Sequence, residues 1–248
     1  MNPVITLLTD FGTADYFVGA VKGAVLSINP GAVIVDITHE IPPQDIAAGA
    51  FTLLAAYKTF PLGTIHVAVV DPGVGSTRRP IIVSANEQFF VGPDNGLFSY
   101  IYDREPSHKT FHLTADRFFR PSVSTTFHGR DIFAPVAAAL SNGVAPEEFG
   151  QLIEDEVRLP SLETPLRIIH IDRFGNCVTN IPRDVMPREI VVNGKTISEF
   201  RQFYGDGDDQ SLFAIWGSAG FLEISVNSGS AAKLLGVKVG SRIAITAE

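Results

Sequence analysis

Apolar positions over the first 150 residues fall into short runs separated by helical stripes. Val4–Leu8 is an apolar run that ends in Thr9-Asp10-Phe11-Gly12. Beyond it Tyr16, Phe17, Val21, Val25 and Leu26 recur near helical spacing. Ala32–Ile37 is rich in β-branched residues and predicts a buried strand. Ile46, Ala50, Leu53 and Tyr57 mark one face of a helix over Asp45–Lys58, and Thr64–Val70 is again strand-like. This β-α-β-α-β order, with near-continuous apolar strands, predicts a largely parallel sheet covered on both faces. Pro80–Ser84 and Gln88–Val91 add two strands joined by Ala85-Asn86-Glu87. Asp131–Leu140 reads as a helix closed by Asn142-Gly143.

The pattern then changes. Val157–Pro165 carries two prolines and little periodicity, as a linker does. Short strands follow at Arg167–Asp172, Ile190–Val192, Leu212–Trp216, Phe221–Val226 and Arg242–Thr246, with a short helical segment at Ala231–Leu235. Asn193-Gly194, between Val192 and Lys195, is a hairpin signal. The reading is an N-terminal α/β domain over 1–156, a linker over 157–165, and a smaller C-terminal all-β domain, sandwich or barrel, over 166–248. Gly205-Asp206-Gly207-Asp208-Asp209 reads as a solvated loop, since its spacing does not match a calcium loop.

Composition narrows the function. Of 248 residues 45% are hydrophobic and 19% charged, enough apolar material for a packed core and too much for a disordered chain. Nineteen basic against 27 acidic residues give a net charge of −8, which argues against nucleic acid or an anionic membrane as partner. No apolar stretch approaches the roughly 18 residues needed to span a bilayer. The start, Met1-Asn2-Pro3-Val4-Ile5, has no basic segment followed by a long apolar one, so no secretory signal is expected and a cytoplasmic protein is. A single cysteine, Cys177, excludes an intrachain disulfide and a cysteine zinc site.

Ligands of a parallel sheet gather at the carboxyl ends of its strands. Asp10 follows the first strand, as a diol-binding carboxylate or as the N-cap of the next helix. Asp71 follows Thr64–Val70 and opens Asp71-Pro72-Gly73-Val74-Gly75-Ser76-Thr77-Arg78-Arg79. It either faces a ligand or folds an Asx turn onto its own amides. The glycine loop lacks the Gly-Lys-Ser/Thr of a P-loop. His128, in Phe127-His128-Gly129-Arg130-Asp131, is a base, an orienting group or a neighbour of a helix start, whereas Arg130 and Asp131 read as structural. In the second half Asp172-Arg173-Phe174-Gly175-Asn176 brings a carboxylate, an aromatic and an amide together, either for a polar ligand with a flat ring or as a plain hairpin turn. Asn227-Ser228-Gly229-Ser230-Ala231-Ala232 is a small-residue loop whose backbone could approach a ring, or an ordinary turn. His39, His66, His108, His128 and His170 show no metal-ligand spacing, although His66, Asp71 and Asp10 together could form a hydrolytic centre. No Gly-x-Ser-x-Gly elbow is present.

In order along the chain, Thr9-Asp10-Phe11-Gly12, Asp71-Pro72-Gly73-Val74-Gly75, Pro93-Asp94-Asn95-Gly96, Thr126-Phe127-His128-Gly129-Arg130-Asp131, Asp172-Arg173-Phe174-Gly175-Asn176 and the 227–232 loop resemble the adenosine-forming S-adenosyl-L-methionine (SAM) hydrolases, or SAM hydroxide adenosyltransferases. Fluorinase and chlorinase are their halogen-using relatives. The resemblance implies an α/β domain, a C-terminal β-barrel-like domain, and a homotrimer with its active site between the N-terminal domain of one subunit and the C-terminal domain of the next. It implies a water-activating trio at Asp71, Arg78 and His128, with Arg79 the alternative to Arg78. It further implies that Asp10 holds the ribose diol, that Asp172, Phe174 and Asn176 surround the methionine part and the adenine ring, and that the backbone at Ser230 and Ala231 reads the adenine edge. SAM would be the substrate, with no cofactor and no metal. The halogenases resemble the chain but carry an aromatic hydroxyl at the position of Asp71, where a carboxylate repels halide and favours water. A binding-only SAM or adenosine sensor would have no need of the trio, and a metal-dependent hydrolase is the third alternative.

Overall fold

The structure, a computed structural model, describes residues 4–206 and 210–246. The chain forms two compact units, Met1–Leu159 and Pro160–Glu248. The first contains β1 (Val4–Thr9), α1 (Phe17–Ile28), β2 (Val33–Thr38), α2 (Ile46–Ala56), β3 (Ile65–Val69), β4 (Pro80–Ala85), β5 (Gln88–Pro93), α3 (Ser99–Arg104), β6 (Lys109–Leu113), α4 (Ala134–Ser141) and β7 (Gly150–Ile153). Its seven-stranded sheet has the order β2-β1-β3-β5-β4-β6-β7. The pairs β1–β2, β1–β3 and β3–β5 are parallel, whereas β4 pairs antiparallel with β5 and β6, and β6 with β7. The α/β class is as expected, and the sheet turns antiparallel beyond β5. Strand alternation sends Ile5, Leu7, Val67 and Val69 into a core with Val21, Ala24 and Val25 of α1 and most of α4. On the opposite face Leu8 and Val70 meet α2 at Gly49.

Two sequence readings change here. Ala32–Ile37 is not buried: β2 is an edge strand, none of its residues is fully covered, and Val33 is 44% exposed. Its β-branched composition suits an edge as well as a centre. Leu26, placed on the apolar stripe, is half-exposed, whereas Val21 and Val25 are buried. The β4–β5 link is a tight hairpin in which Asn86 and Glu87 both take left-handed φ, 51° and 56°, matching the twist of the flanking strands. The segment after β7 is tied to this unit, since Val157 N donates to Asp94 Oδ1 at 2.8 Å and Leu159 N to Ser99 Oγ at 2.7 Å.

The second unit contains β8 (Ile168–Ile171), β9 (Cys177–Thr179), β10 (Glu189–Val192), β11 (Lys195–Ile197), β12 (Leu212–Trp216), β13 (Leu222–Val226), α5 (Ala231–Leu235) and β14 (Ile243–Thr246). They form an antiparallel sheet β11-β10-β14 and another of order β12-β13-β9-β8. Isolated bridges Arg167–Arg242 and Phe200–Ala214 connect the sheets at both edges, which gives the barrel character. The expected Asn193-Gly194 hairpin joins β10 to β11, with φ 47° and 74°. The reading of the Gly205–Asp209 loop falls in part on 207–209, outside the described residues.

His66 ties three strands together. Its Nδ1 lies 2.7 Å from Thr6 Oγ1 of β1, and its ring stacks on Phe90 of β5 with centroids 4.9 Å apart. Burial pushes its pKa down from 6.5 to about 4. The unfolded chain therefore takes up a proton between these values that the folded chain refuses, and stability falls as pH drops through that window. The loss between pH 6.5 and 4 amounts to about 3 kcal/mol. Urea unfolding at a series of pH values should show this slope, and His66→Phe, which keeps the stack, should flatten it.

Candidate active site

In the first unit the order β2-β1-β3 places the topological switch between β1 and β3, where α/β sheets bind ligands. A cavity of about 430 Å³ opens there, lined by Asp10, Gln44, Asp71, Phe127 and His128 among others. Phe11, Phe17 and Phe127 build an apolar wall, with ring centroids 5.2–5.9 Å apart.

Asp71 does not form the Asx turn. Its main-chain carbonyl accepts Val74 N at 3.2 Å, and its carboxylate turns to Arg78. Arg78 Nε donates to Oδ1 at 2.9 Å, Nη2 donates to Oδ2, and the same Nη2 reaches His128 Nδ1 at 2.7 Å. The two side chains of the ion pair are only 9% and 5% exposed. A guanidinium has donors and no acceptor, so His128 Nδ1 must be the unprotonated nitrogen and the proton sits on Nε2. Burial, reinforced by the charge of Arg78, lowers the His128 pKa, against the opposing pull of Asp71 and Asp131. The imidazole is therefore neutral and offers a donor. Arg78 Nη1 is buried and has no acceptor among the described residues. Arg79 goes elsewhere, pairing with Asp94 at 2.6 Å and Asp155 at 2.7 Å.

Loop chemistry makes this approach possible. Gly75 has φ 78°, and a Cβ there would lie 2.2 Å from the carbonyl oxygen of Thr125. Only glycine lets the Asp71–Arg78 loop touch the segment that carries His128. His128 itself leads into a π-helical turn, Gly129–Phe133, before α4. Asp131, fully buried, accepts Arg130 Nε at 2.7 Å and Ser124 N at 2.9 Å. Burial opposes its charge, and these bonds outweigh that and keep its pKa below the usual value. Its structural reading stands. Asp10 does not cap α1, whose N-cap is Tyr16 with no side-chain bond; Asp10 Oδ2 instead accepts Gln44 N at 2.8 Å. The chain around it is fixed by Thr9 Oγ1 to His39 Nδ1 at 2.8 Å and Gly12 N to the His39 carbonyl at 2.8 Å.

The second unit has its own cavity, about 560 Å³, lined by Asp172, Phe174, Asn176, Tyr204, Asn227 and Ser230 among others. Asp172 organises the β8–β9 turn: Oδ1 accepts Phe174 N and Asn176 N, and Oδ2 accepts Asn176 Nδ2, each at 2.9 Å. Phe174 stands 77% exposed. Gly175, at φ 89°, leaves room for Ser230, whose Oγ would lie 2.1 Å from a Cβ there. Ser230 caps α5, accepting Lys233 N at 3.3 Å. Ala231 is fully buried and is not part of the lining, so what it can offer is its amide at the first position of α5. Gln44 and Tyr204 escaped the sequence reading because both lie in aperiodic loops. Tyr204 donates to Glu223 Oε2 at 2.9 Å, and burial and that carboxylate push its pKa up to about 12. Burial also raises Glu223, aided by Asp172.

Fold and site together define an α/β protein with a cavity at its switch point, where carboxylates and an imidazole face aromatic rings, and a second cavity on a small barrel. The SAM hydroxide adenosyltransferase N-terminal domain matches residues 5–150, and the corresponding C-terminal domain matches 166–244. The chain belongs to the SAM hydroxide adenosyltransferase family. It is 40% identical to an (R)-S-adenosyl-L-methionine hydrolase of Methanocaldococcus jannaschii, over 94% of this chain and 92% of that one. A hydrolase of the same name from Thermus thermophilus is 38% identical, over 97% and 98%. Fluorinases are more distant, at 22–27% identity. Among solved structures, an uncharacterized conserved protein from Thermotoga maritima superposes with a TM-score of 0.91 at 35% identity, covering 98% of this chain and 99% of that one.

The tautomer is directly measurable. Nitrogen NMR of labelled protein should show His128 protonated at Nε2 and titrating below the ordinary imidazole value of about 6.5. A pH-invariant Nδ1–H signal would contradict the Arg78 contact.

Proposed function

We propose that the chain hydrolyses SAM to adenosine and L-methionine by in-line attack of water on C5′ of the ribose. The observation that carries this reading is the Asp71–Arg78–His128 cluster, a covered ion pair beside a half-buried imidazole, at the edge of the first cavity. The sulfonium is already a good leaving group, so no acid is needed to expel it. The water oxygen bonds to C5′, the C5′–S bond breaks, and its electron pair leaves with sulfur as the neutral thioether of methionine. One proton is released, and Asp71 is its acceptor. His128, as an Nε2 donor, orients the water, while Arg78 holds both partners in place. Fixed groups in a cavity walled by aromatic rings act more strongly than they would in open water.

Binding falls to the remaining residues. Asp10 takes the ribose hydroxyls. Asp172, Phe174 and Asn176 surround the methionine part and the adenine ring, and the Ser230–Ala231 backbone meets the adenine edge. Each cavity provides only part of such a set, which supports a substrate shared between one subunit's first unit and its neighbour's second unit; that the subunits number three rests on the family resemblance alone. No described helix is long and apolar enough to cross a membrane. The names of the relatives suggest the (R)-sulfonium form as substrate. The fluorinase relatives raise halide as a rival nucleophile, and the Asp71 carboxylate disfavours it by repulsion.

Incubation with SAM should yield adenosine and methionine equally with and without a chelator. Absence of adenosine from folded protein would refute the proposal. Asp71→Ala should lower turnover roughly 10²–10⁴-fold, as loss of a group acting on the proton does. Its SAM affinity should stay within about tenfold, ~1.4 kcal/mol. Asp10→Ala should weaken binding first, since it removes a charge-assisted acceptor worth about 1.5–3 kcal/mol per bond. Calorimetry and single-turnover kinetics separate the two effects. Light scattering should report three times the 26.7 kDa chain mass.

A further inference from the structure

The Pro93-Asp94-Asn95-Gly96 segment lines neither cavity. It ends β5, and β5 lies in the sheet between β3 and β4. The loop from Asp71 to Arg78 leaves β3 and re-enters at β4, so it has to cross the end of β5. Two consecutive residues at that end grip the two stems of the loop. Asn95 Nδ2 donates to the carbonyl of Val70 at 2.9 Å, the residue immediately before Asp71. Asp94 N donates to the carbonyl of Arg79 at 2.9 Å, and its carboxylate takes Arg79 Nε at 2.8 Å and Nη2 at 2.6 Å. Arg79 is the residue immediately after Arg78. Both side chains are braced from behind: Asn95 Oδ1 accepts Leu97 N at 3.2 Å, and the 4%-exposed Asp94 accepts Val157 N at 2.8 Å.

We infer that Asn95 and Asp94 are positioning residues, which fix the spacing of the two loop stems so that Arg78 closes on Asp71 with two bonds while still reaching His128. A two-bond guanidinium–carboxylate fork needs both groups nearly coplanar, so a small shift of either stem opens one bond. A displacement of about 1 Å at such a site is enough to slow a reaction about a hundredfold. The inference rests on the roles proposed above for Asp71, Arg78 and His128.

The test compares Asn95→Asp, which keeps the acceptor for Leu97 N and removes the donor to Val70, with Asp94→Asn and with Leu53→Val. Leu53 is a buried residue of α2 outside both cavities and serves as a control for simple destabilisation. Four quantities are read: Tm, the kcat and the KM for SAM, and the NMR titration of His128. The charged groups facing that ring are Arg78, Asp71 and Asp131, so releasing Arg78 leaves burial alone to oppose the two carboxylates and the titration moves up. Both clamp variants should lose at least about tenfold in kcat with KM changed less than about threefold, as expected when geometry rather than ground-state binding is disturbed. Leu53→Val should lower Tm and leave kcat and the titration alone. The inference is overturned if the clamp variants keep the His128 titration of the unsubstituted protein, or change kcat no more than Leu53→Val does. If the unsubstituted protein turns over no SAM, the proposed function fails, and the His128 shift still decides the clamp. Should Asn95→Asp not fold, Asn95→Ser, a milder deletion of the same donor, replaces it with the same expectations.

Discussion

The guanidinium of Arg78 is the piece on which the first cavity depends. Withdrawing a cation from water costs several kcal/mol, and the loss is offset only where the geometry with its partners is good. Here one planar fork satisfies Asp71 and His128 together. The arrangement dictates what surrounds it. The loop must return on itself within eight residues, glycine must stand at 75, the imidazole must be neutral, and the strand between the two stems must end where it can brace them. Each is a local choice made by the sequence, and all of them are consistent with one geometry.

The barrel unit solves a related problem with an anion. Asp172 spends three acceptor interactions on its own turn, two to amides and one to the Asn176 side chain. It shapes the cavity wall by holding Phe174 outward and Asn176 inward, and an ionised carboxylate with about four lone-pair sites keeps acceptor capacity toward the cavity. Asp10 is built the same way, with one oxygen committed to Gln44 N. Asp172 holds its own turn, Asp10 ties a strand end to the loop at Gln44, and each lines a cavity, so a structural role and a place in a cavity wall are compatible.

Much of this was legible in the sequence, and the gaps have physical causes. The run-and-stripe alternation locates β1, α1, α2 and β3, because a two-face-covered sheet requires apolar runs. The same signal finds β2 but misjudges its burial, since β-branched residues suit an edge strand too. The three-residue β9 is too short to show periodicity, whereas β13 is legible over Phe221–Val226 despite the buried Glu223, which Tyr204 partners. Asp71 and His128 stand out through their positions at strand end and helix start. Arg78 cannot be told from Arg79 by spacing. The distinction arises because successive residues of an extended chain point to opposite sides, one toward Asp71 and one toward Asp94. Gln44 and Tyr204 are invisible because only tertiary structure brings their loops to the cavities.

Arg78 Nη1, which has no acceptor among the described residues, bears on how the protein can be improved or can decay. A buried donor without an acceptor is a liability to the fold, and apolar replacements of buried ionic groups often leave a protein as stable or more so. Laboratory evolution guided by heat resistance alone would thus drift toward descendants in which Arg78 and Asp71 are exchanged together for apolar residues, since losing the arginine by itself strands a covered carboxylate. Selection has to be coupled to turnover if the site is to survive it.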